Sequence, residues 1–343
     1  MLNETEIEEL REIFTNSNNP FYLFDDDGDG TCAYLILKKH YNKGTGIPVK
    51  SSGEYGIDYS YIKQIEEEKA DLAVILDKPI IKQSFIDKMN CPTVILDHHP
   101  LLNLKKVKYY NPLKHGKNVP TTYLAYQITQ SNLWIAIAGC LFDHYTPEFI
   151  EEFKKEYPDL LESESKDPGY LAYETKMSKI IKIISFNIKG KTKEVKESLV
   201  ALEKVQSPYE ILNKTTKYGK FLYKRYEKLN KEYEELLESA RKLEDRKENI
   251  VVFLYPSEKI SFTRELSNEL SYLNQDKTVI VGREKDGLIK MSLRNPNKNL
   301  LEAFEKAKIG LECFGGGHEH ACGCSLNKND LTEFTERIKK LTK

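Results

Sequence analysis

The chain has 343 residues, which predicts two domains because one hydrophobic core seldom extends beyond about 250 to 300 residues. Its 52 basic residues are balanced by 53 acidic ones, so the charge excludes an overall basic nucleic-acid binder but allows a local basic groove. The six cysteines lack a CxxC pair and no run approaches the roughly 20 apolar residues of a membrane span. We therefore expect a reduced, cytoplasmic protein with no disulfide framework and no membrane association.

The first part of the chain alternates predicted strands and helices, a pattern typical of βαβ units. Its last two strands are continuous apolar runs, as in parallel sheets that are covered on both faces. We therefore predict the α/β class, with a parallel sheet in the N-terminal domain. The predicted helices cover residues 4–15, 31–40 and 61–70, and the predicted strands cover residues 21–24, 46–51, 71–76 and 92–96.

An acidic turn, Asp25 to Asp29, follows the first predicted strand and contains four carboxylates in five residues. Such carboxylates repel one another unless cations lie between them, so the turn indicates a metal site. The glycines within it suggest a tight backbone that lets the carboxylates converge. The turn resembles the start of a calcium-binding EF-hand loop, but the position that must supply a bidentate glutamate is Ile36. The EF-hand interpretation is therefore excluded.

Further candidate metal ligands follow other apolar segments. Asp77 follows one strand, Asp97-His98-His99 follows the next, and Asp143 ends a small-residue helix over residues 134–142. Because ligands of parallel sheets bind outside the carboxyl ends of the strands, we expect these groups and the acidic turn to meet in one place. One imidazole would bind metal, the other would face substrate, and Asp97 would orient a ring.

A long helix is predicted to join two folding units. Charged helical sequence over residues 147–218 precedes it, and the helix itself covers about residues 220–248. Two interpretations of its apolar seam remain open, a connecting helix packed on its own domain and a dimerising coiled coil. The predicted domains are residues 1–218 and 249–343, with residues 219–248 between them. The seam comprises Leu222, Tyr226, Leu229, Tyr233, Leu236, Ala240 and Leu243.

The C-terminal part restarts the alternation and predicts a smaller α/β domain. It contains a hairpin around Asp286-Gly287, and a small buried strand around Cys322-x-Cys324 is favoured over a zinc site. Gly315, Gly316, Gly317 and His318 form either a tight turn or a loop whose backbone N–H groups bind an anion. Arg294, at a strand end, can bind phosphate bidentately. The predicted strands are 250–255, 278–282 and 288–294, and the helices are 263–273, 300–307 and one from residue 331.

In this order the motifs resemble the DHH phosphoesterases, and within them the RecJ-like proteins of archaeal type and the NrnA-like proteins, which carry a DHH-associated C-terminal domain. The acidic turn, Asp77, Asp97-His98-His99 and Asp143 resemble the four N-terminal motifs. Ser292-Leu293-Arg294 and the Gly315–His318 segment resemble the two C-terminal motifs. Many relatives have histidine where this chain has Leu23, a departure that favours the RecJ-like side and suggests that Asp25 shapes or joins the first metal site.

The resemblance implies two Mn²⁺ or Mg²⁺ ions and a role for each motif residue. Asp77 would bridge the ions and His99 would contact the scissile phosphate. Arg294, His318 and the three glycines, Gly315, Gly316 and Gly317, would grip the phosphate of a terminal nucleotide, which favours cleavage from an end. The implied ligands are Asp27 and Asp77 for one ion, with Asp25 as a further candidate, and Asp29, Asp77, His98 and Asp143 for the other.

Three functions remain open from the sequence. The first is a RecJ-like exonuclease on single-stranded DNA or RNA, with bases stacked on aromatic side chains. The second is a phosphoesterase of small substrates, such as oligoribonucleotides, cyclic dinucleotides or a nucleoside bisphosphate. The third is a catalytically silent partner in a replication assembly, which the complete set of ligands disfavours. The partners expected are accordingly single-stranded nucleic acid and replication or repair proteins, with a homodimer if the long helix dimerises.

Overall fold

A computed structural model describes residues 1–50, 56–243, 248–256, 260–285 and 287–343. These residues divide into two compact units, Met1–Tyr226 and Glu227–Lys343, so the boundary falls inside the long helix. The predicted α/β class is confirmed, with a parallel sheet in the first unit and a second sheet in the other. Parts of three predicted elements, at residues 51, 244–247 and Asp286, lie outside the described residues.

The sheet of the first unit is parallel throughout and has the strand order β2–β1–β3–β4–β5. Every residue of β1, β3 and β4 is buried, which explains why these strands are apolar apart from Asp25 at the end of β1 and Thr93 at the start of β4. Strand β5 is only three residues long and was missed in the sequence. The strands are β1 Pro20–Asp25, β2 Thr45–Val49, β3 Leu72–Leu76, β4 Thr93–Leu96 and β5 Lys108–Tyr110.

Helices surround this sheet and continue along the chain beyond it. The apolar helices α5 and α6 are almost wholly buried, as their lack of charged residues predicts. The helices of the sheet region are α1 Glu4–Asn16, α2 Gly28–Tyr41, α3 Ser60–Glu67, α4 Gln83–Ile86, α5 Thr121–Thr129 and α6 Leu133–Phe142. Those that follow are α7 Ile150–Glu156, α8 Pro168–Tyr173, α9 Met177–Asn187, α10 Thr192–Lys204 and α11 Pro208–Leu212.

Helix α2 begins at Gly28, three residues earlier than predicted, so the acidic turn is largely a helix N-terminus. Asp27 caps the helix, accepting a hydrogen bond from the Gly30 N–H at 3.0 Å. Gly28 and Gly30 have ordinary helical backbone, so the reason for glycine is the lack of room for a side chain and not an unusual φ. A Cβ on Gly30 would lie 2.8 Å from the Asp25 nitrogen, and one on Gly28 would lie 2.3 Å from the Phe142 ring.

The long helix, α12, covers Lys217–Arg241, and its apolar stripe drifts from the predicted seam. Leu237 is buried where Leu236 was predicted, and Leu243 is 59% exposed. The drift follows because a straight helix has 3.6 residues per turn and a coiled coil has 3.5. The chain itself covers this stripe, which supports the connecting-helix interpretation. None of the described helices combines the length and apolar composition that a membrane crossing requires.

The sheet of the second unit has the order β6–β7–β8–β10–β9, in which β6 and β7 are parallel and the other pairs are antiparallel. The predicted β7–β8 hairpin is confirmed by the pairing, and the predicted strand at Cys322-x-Cys324 is β10. The strands are β6 Ile250–Pro256, β7 Thr278–Lys285, β8 Leu288–Arg294, β9 Cys313–His318 and β10 Ala321–Asn327. The helices are α13 Thr263–Leu273, α14 Leu300–Ala307 and α15 Leu331–Leu341.

The glycine motif forms strand β9, so both the turn and the loop interpretations are wrong about its backbone. A Cβ on Gly315 or Gly317 would lie about 2 Å from a carbonyl oxygen of β10, at 2.2 and 2.1 Å, so these glycines permit the close pairing of the two strands. A Cβ on Gly316 would meet nothing within 4 Å. Gly316 therefore faces open space, and only this glycine of the three is left without a packing role.

We expect Gly139→Val to destabilise the first unit. A Cβ at Gly139 would lie 2.3 Å from Thr122 Oγ1 and 2.6 Å from Cys32 Cβ, so α6 packs closely on α5 and α2. Overpacking of this kind costs about 1–3 kcal/mol of unfolding free energy. Urea unfolding followed by fluorescence of Trp134, the single tryptophan, measures this change. Val200→Ala, on the exposed face of α10, is the control; an unchanged urea midpoint for Gly139→Val would contradict the packing argument.

Candidate metal centre

Three strand ends of the parallel sheet bring acidic groups to one edge. Asp25 is the last residue of β1, Asp77 directly follows β3, and Asp97 directly follows β4. All three side chains are buried. Because the strands are parallel neighbours, their carboxyl ends lie together, as the strand pattern predicts.

His98 lies at the centre of the carboxylates. Its Nε2 is 3.3 Å from Asp77 Oδ1, 3.7 Å from Asp29 Oδ2 and 3.7 Å from Asp143 Oδ2. Two groups of ligand atoms, each within 4.8 Å of one another, share this histidine: Asp29, His98 and Asp143 in one, and Asp77, His98 and His99 in the other. Oxygen donors with an imidazole suit Mn²⁺, so the donor set fits a divalent cation.

The N-terminus of α5 holds Asp29 in place. The N–H groups of Thr121 and Thr122 donate to its two carboxylate oxygens at 2.8 and 2.7 Å. Helix N-termini favour negative charge, so this arrangement supports a buried carboxylate. Burial nevertheless raises the pKa of Asp29 well above its ordinary value, and the neighbouring Asp77 and Asp143 carboxylates raise it further. The negative charge of this cluster is therefore only partly compensated, which is what a cation site requires.

Asp77 is held by both its backbone and its side chain. Its φ of 59° is left-handed, a conformation that aspartate and asparagine tolerate better than most residues. Thr121 Oγ1 donates to Asp77 Oδ1 at 3.2 Å. The strand end thus turns the carboxylate toward His98.

A separate hydrogen-bond network orients His99. Its Nδ1 is 2.8 Å from Asp97 Oδ1, and the other Asp97 oxygen accepts from Tyr109 Oη at 3.2 Å and Asn111 Nδ2 at 3.5 Å. Asn111 also donates to the His99 carbonyl at 2.9 Å. A neutral His99 with its hydrogen on Nδ1 donates to Asp97 and has its lone pair on Nε2. The network therefore fixes the ring orientation, which is the role predicted for Asp97.

Asp25 and Asp27 have other contacts. The buried Lys78 ammonium donates a hydrogen bond to Asp25 Oδ1, and Asp27 caps α2. Neither aspartate belongs to the two groups of ligand atoms around His98. Sequence reasoning missed Lys78 because a lysine after a strand usually lies in solvent. The apolar sequence of residues 121–129 predicts helix α5, but the contacts of Thr121 and Thr122 with Asp29 were missed because they arise from tertiary packing.

The second unit presents Arg294 and His318 on one face of its sheet. Arg294 of β8 and His318 of β9 both pair with Ala321 of β10, so all three lie in one row. Directly paired residues share a face, and two strand spacings place the Arg294 and His318 Cα atoms about 10 Å apart. Ala321 lies between Arg294 and His318, and the next row on this face consists of the small residues Ser292, Gly323 and Gly316. Arg294 Nε donates to Asn268 Oδ1 at 2.7 Å, which positions the guanidinium.

The fold and this centre define an α/β protein with carboxylates and histidines at the carboxyl edge of a parallel sheet. Residues 261–343 match the DHHA1 domain family. In structure the chain is similar to RecJ from Thermus thermophilus in complex with Mn²⁺, with a TM-score of 0.69 and 16% identity over 98% of this chain and 54% of that one. The Mg²⁺ complex of the same RecJ is similar with a TM-score of 0.62 and 15% identity, over 98% of this chain and 52% of that one.

A manganese-bound exonuclease RecJ is also similar, with a TM-score of 0.66 and 15% identity over 99% of this chain and 95% of that one. The chain spans about half the length of the Thermus RecJ. No curated protein matches the chain in sequence. The predicted resemblance is confirmed at the level of the fold: the chain has the fold of these RecJ structures, and its residues 261–343 match the DHHA1 domain.

We expect the affinity for Mn²⁺ to fall as the pH is lowered. Burial lowers the pKa of His98, but the Asp143, Asp77 and Asp29 carboxylates raise it more, so this pKa lies well above its ordinary value. A protonated imidazole cannot bind metal, so below this raised pKa the proton competes with the cation. Between about pH 8 and pH 6 the affinity should fall at least tenfold.

Titration calorimetry with Mn²⁺ at the two pH values measures this change. His115→Gln is the control, because His115 lies on the surface and pairs with Glu6. That variant should keep the full pH dependence of the parent. Equal affinities at both pH values would show that His98 does not bind the cation.

Proposed function

We propose that the chain is a metal-dependent phosphodiester hydrolase, and specifically an exonuclease that acts on single-stranded DNA or RNA. The observation that carries this proposal is the cluster of Asp29, Asp77 and Asp143 around His98, beside a second histidine held by Asp97. Phosphodiester hydrolysis needs compensation of the phosphate charge, and this cluster fits a cation that supplies it. The RecJ-like fold supports the same class of reaction.

Asp29, Asp77, His98 and Asp143 would hold the divalent cation, Mn²⁺ or Mg²⁺. When bound, such a cation supplies positive charge to phosphate oxygens and lowers the pKa of water. Asp143 is 39% exposed in its side chain, so the cluster opens to solvent on this side and a substrate has access to it. The resemblance also predicts a second cation, for which Asp25, Asp27 and Asp77 are the candidate ligands.

His99 would contact the scissile phosphate. Its pKa is raised: burial lowers it, but the hydrogen bond with Asp97 and the Asp77 charge raise it more. A histidine that is readily protonated can donate a hydrogen bond to a phosphate oxygen from Nε2 while Nδ1 remains bonded to Asp97. Asp97, Tyr109 and Asn111 are then positioning residues, since they act through the His99 ring.

The face of the second sheet that carries Arg294 supports a nucleic-acid substrate along β9 and β10. Phe314 is 63% exposed and lies in the row of Lys290 and Ser325, on the same face as Arg294 and His318. Arginine binds phosphate bidentately, and an exposed aromatic ring offers a stacking surface for a base. Phosphate and base contacts on one face suit an unpaired strand, whose bases are accessible.

A phosphoesterase of small substrates is the alternative, since short oligonucleotides and cyclic dinucleotides also carry phosphates and bases. A silent replication partner is less well supported, because such a protein has no need to retain carboxylates that repel each other. Replication or repair proteins remain the expected protein partners. The cytoplasmic location stays a prediction from the sequence.

We expect the chain with Mn²⁺ to shorten end-labelled single-stranded DNA or RNA stepwise from one end. The measurement compares these strands with a dinucleotide and a cyclic dinucleotide of equal nucleotide concentration. Asp77→Asn should reduce hydrolysis at least about a hundredfold, because metal-bound charge stabilisation is worth several kcal/mol. Asparagine tolerates the left-handed backbone at this position, so the fold should be kept.

Asp87→Asn is the matched control, because Asp87 is an exposed aspartate on the surface of the same unit. It should retain full hydrolysis. Hydrolysis of the dinucleotide or the cyclic dinucleotide alone would favour the small-substrate alternative. Full activity of purified Asp77→Asn would refute the metal-dependent function.

We expect Arg294→Ala to raise KM for single strands about tenfold while kcat changes little, since charge-assisted hydrogen bonds are worth about 1.5–3 kcal/mol. Lys290→Ala removes an equal charge from the same face of the same strand and is the control. Steady-state kinetics on labelled single-stranded substrate provide both constants. Equal effects of the two substitutions would indicate general charge attraction instead of a specific phosphate contact.

A further inference from the structure

A buried lysine lies at the acidic edge of the parallel sheet, next to the candidate metal ligands. Lys78 directly follows Asp77, and its side chain is 5% exposed. The ammonium donates to Asp25 Oδ1 and lies 3.3 Å from the Val49 carbonyl oxygen. Asp25 and Val49 pair in the last row of β1 and β2. Lys78 therefore places a fixed positive charge at the ends of two neighbouring strands.

The pairing changes what Asp25 can bind. A buried ammonium is stable only when it is paired and hydrogen-bonded, so Lys78 and Asp25 depend on each other. A divalent cation bound to Asp25 would meet the ammonium at short range in a region of low dielectric. The two positive charges compete for the Asp25 carboxylate. The ammonium belongs to the chain itself and so stays beside this carboxylate in the fold.

The other candidate ligands of a second cation also accept hydrogen bonds, but so does Asp29, so the ammonium contact of Asp25 is the difference that decides between the two positions. One Asp27 oxygen accepts from the Gly30 N–H as the cap of α2. Asp77 Oδ1 accepts from Thr121 and lies near His98, within a group of ligand atoms. By contrast, Asp29, Asp77 and Asp143 converge on the imidazole of His98, which is itself a metal ligand when neutral. The two predicted cation positions are therefore not equivalent.

We propose that the Lys78 ammonium takes the place of the second cation, so that the chain binds a single divalent ion through Asp29, Asp77, His98 and Asp143. This rests on the proposed metal-dependent function, but it concerns the number of ions and the role of Asp25. Lys78 is then a positioning residue that keeps Asp25 compensated. Asp25 supports the site without binding metal.

The test is the number of Mn²⁺ ions bound per chain, measured by equilibrium dialysis with elemental analysis and by electron paramagnetic resonance. We expect one ion per chain and the six-line spectrum of an isolated Mn²⁺. Two ions per chain, with the coupled spectrum of neighbouring Mn²⁺ ions, would overturn the proposal while leaving the hydrolase function intact. No bound ion would overturn both, so the two failures are distinguishable.

Two variants assign the effect to Lys78. Lys78→Met removes the charge but keeps an apolar side chain of similar length, and it should raise the number of bound ions from one to two. Asp25→Asn in that background should return the number to one. A single ion in Lys78→Met that melts like the parent would overturn the role of Lys78. The number of ions bound by the unmodified chain is measured without any variant, so it tests the proposal even if Lys78→Met does not fold.

Discussion

The structure depends on compensating several buried carboxylates at one edge of the parallel sheet. Asp25, Asp29, Asp77 and Asp97 are all buried there. A buried carboxylate without a partner is strongly destabilising, so each must be balanced locally. The fold supplies a different partner to each: the Lys78 ammonium, the N-terminus of α5, the Thr121 hydroxyl with His98, and the Tyr109–Asn111–His99 network.

The differences between these partners distinguish carboxylates that support the site from those that are candidate metal ligands. Asp97 is surrounded by neutral donors and an imidazole, and it serves His99. Asp29 accepts two backbone hydrogen bonds, yet its pKa is raised because Asp77 and Asp143 add negative charge to its burial. Carboxylates whose mutual repulsion remains are those that gain most from a cation. The electrostatics and the distances around His98 therefore favour the same four residues, which are the ligands proposed above.

Much of this arrangement could be predicted from the sequence because strand ends of a parallel sheet are fixed by topology. Once β1, β3 and β4 are recognised as apolar runs, Asp25, Asp77 and Asp97 must lie at one edge. The partners could not be predicted in the same way. Lys78, Tyr109 and Asn111 meet the carboxylates through tertiary contacts, and β5 is too short to give a periodic signal. The backbone of the glycine motif was predicted wrongly for a related reason. Three consecutive glycines have low strand propensity, and they form a strand here only because they pair with β10.

The strand register of the second sheet explains why the residues of the two C-terminal motifs have these identities. Strand alternation sends Leu293 and Cys322 into one core and leaves Arg294, Ala321 and His318 on the opposite face of the sheet. Gly315 and Gly317 allow β9 to pair closely, whereas Gly316 and Gly323 leave little side-chain bulk between the row of Arg294 and His318 and the row of Phe314. A larger side chain at position 316 or 323 would project from the sheet between Arg294 and Phe314. The face thus combines a positioned guanidinium, an imidazole and an exposed ring around small residues, which is the combination on which the proposed single-stranded substrate rests.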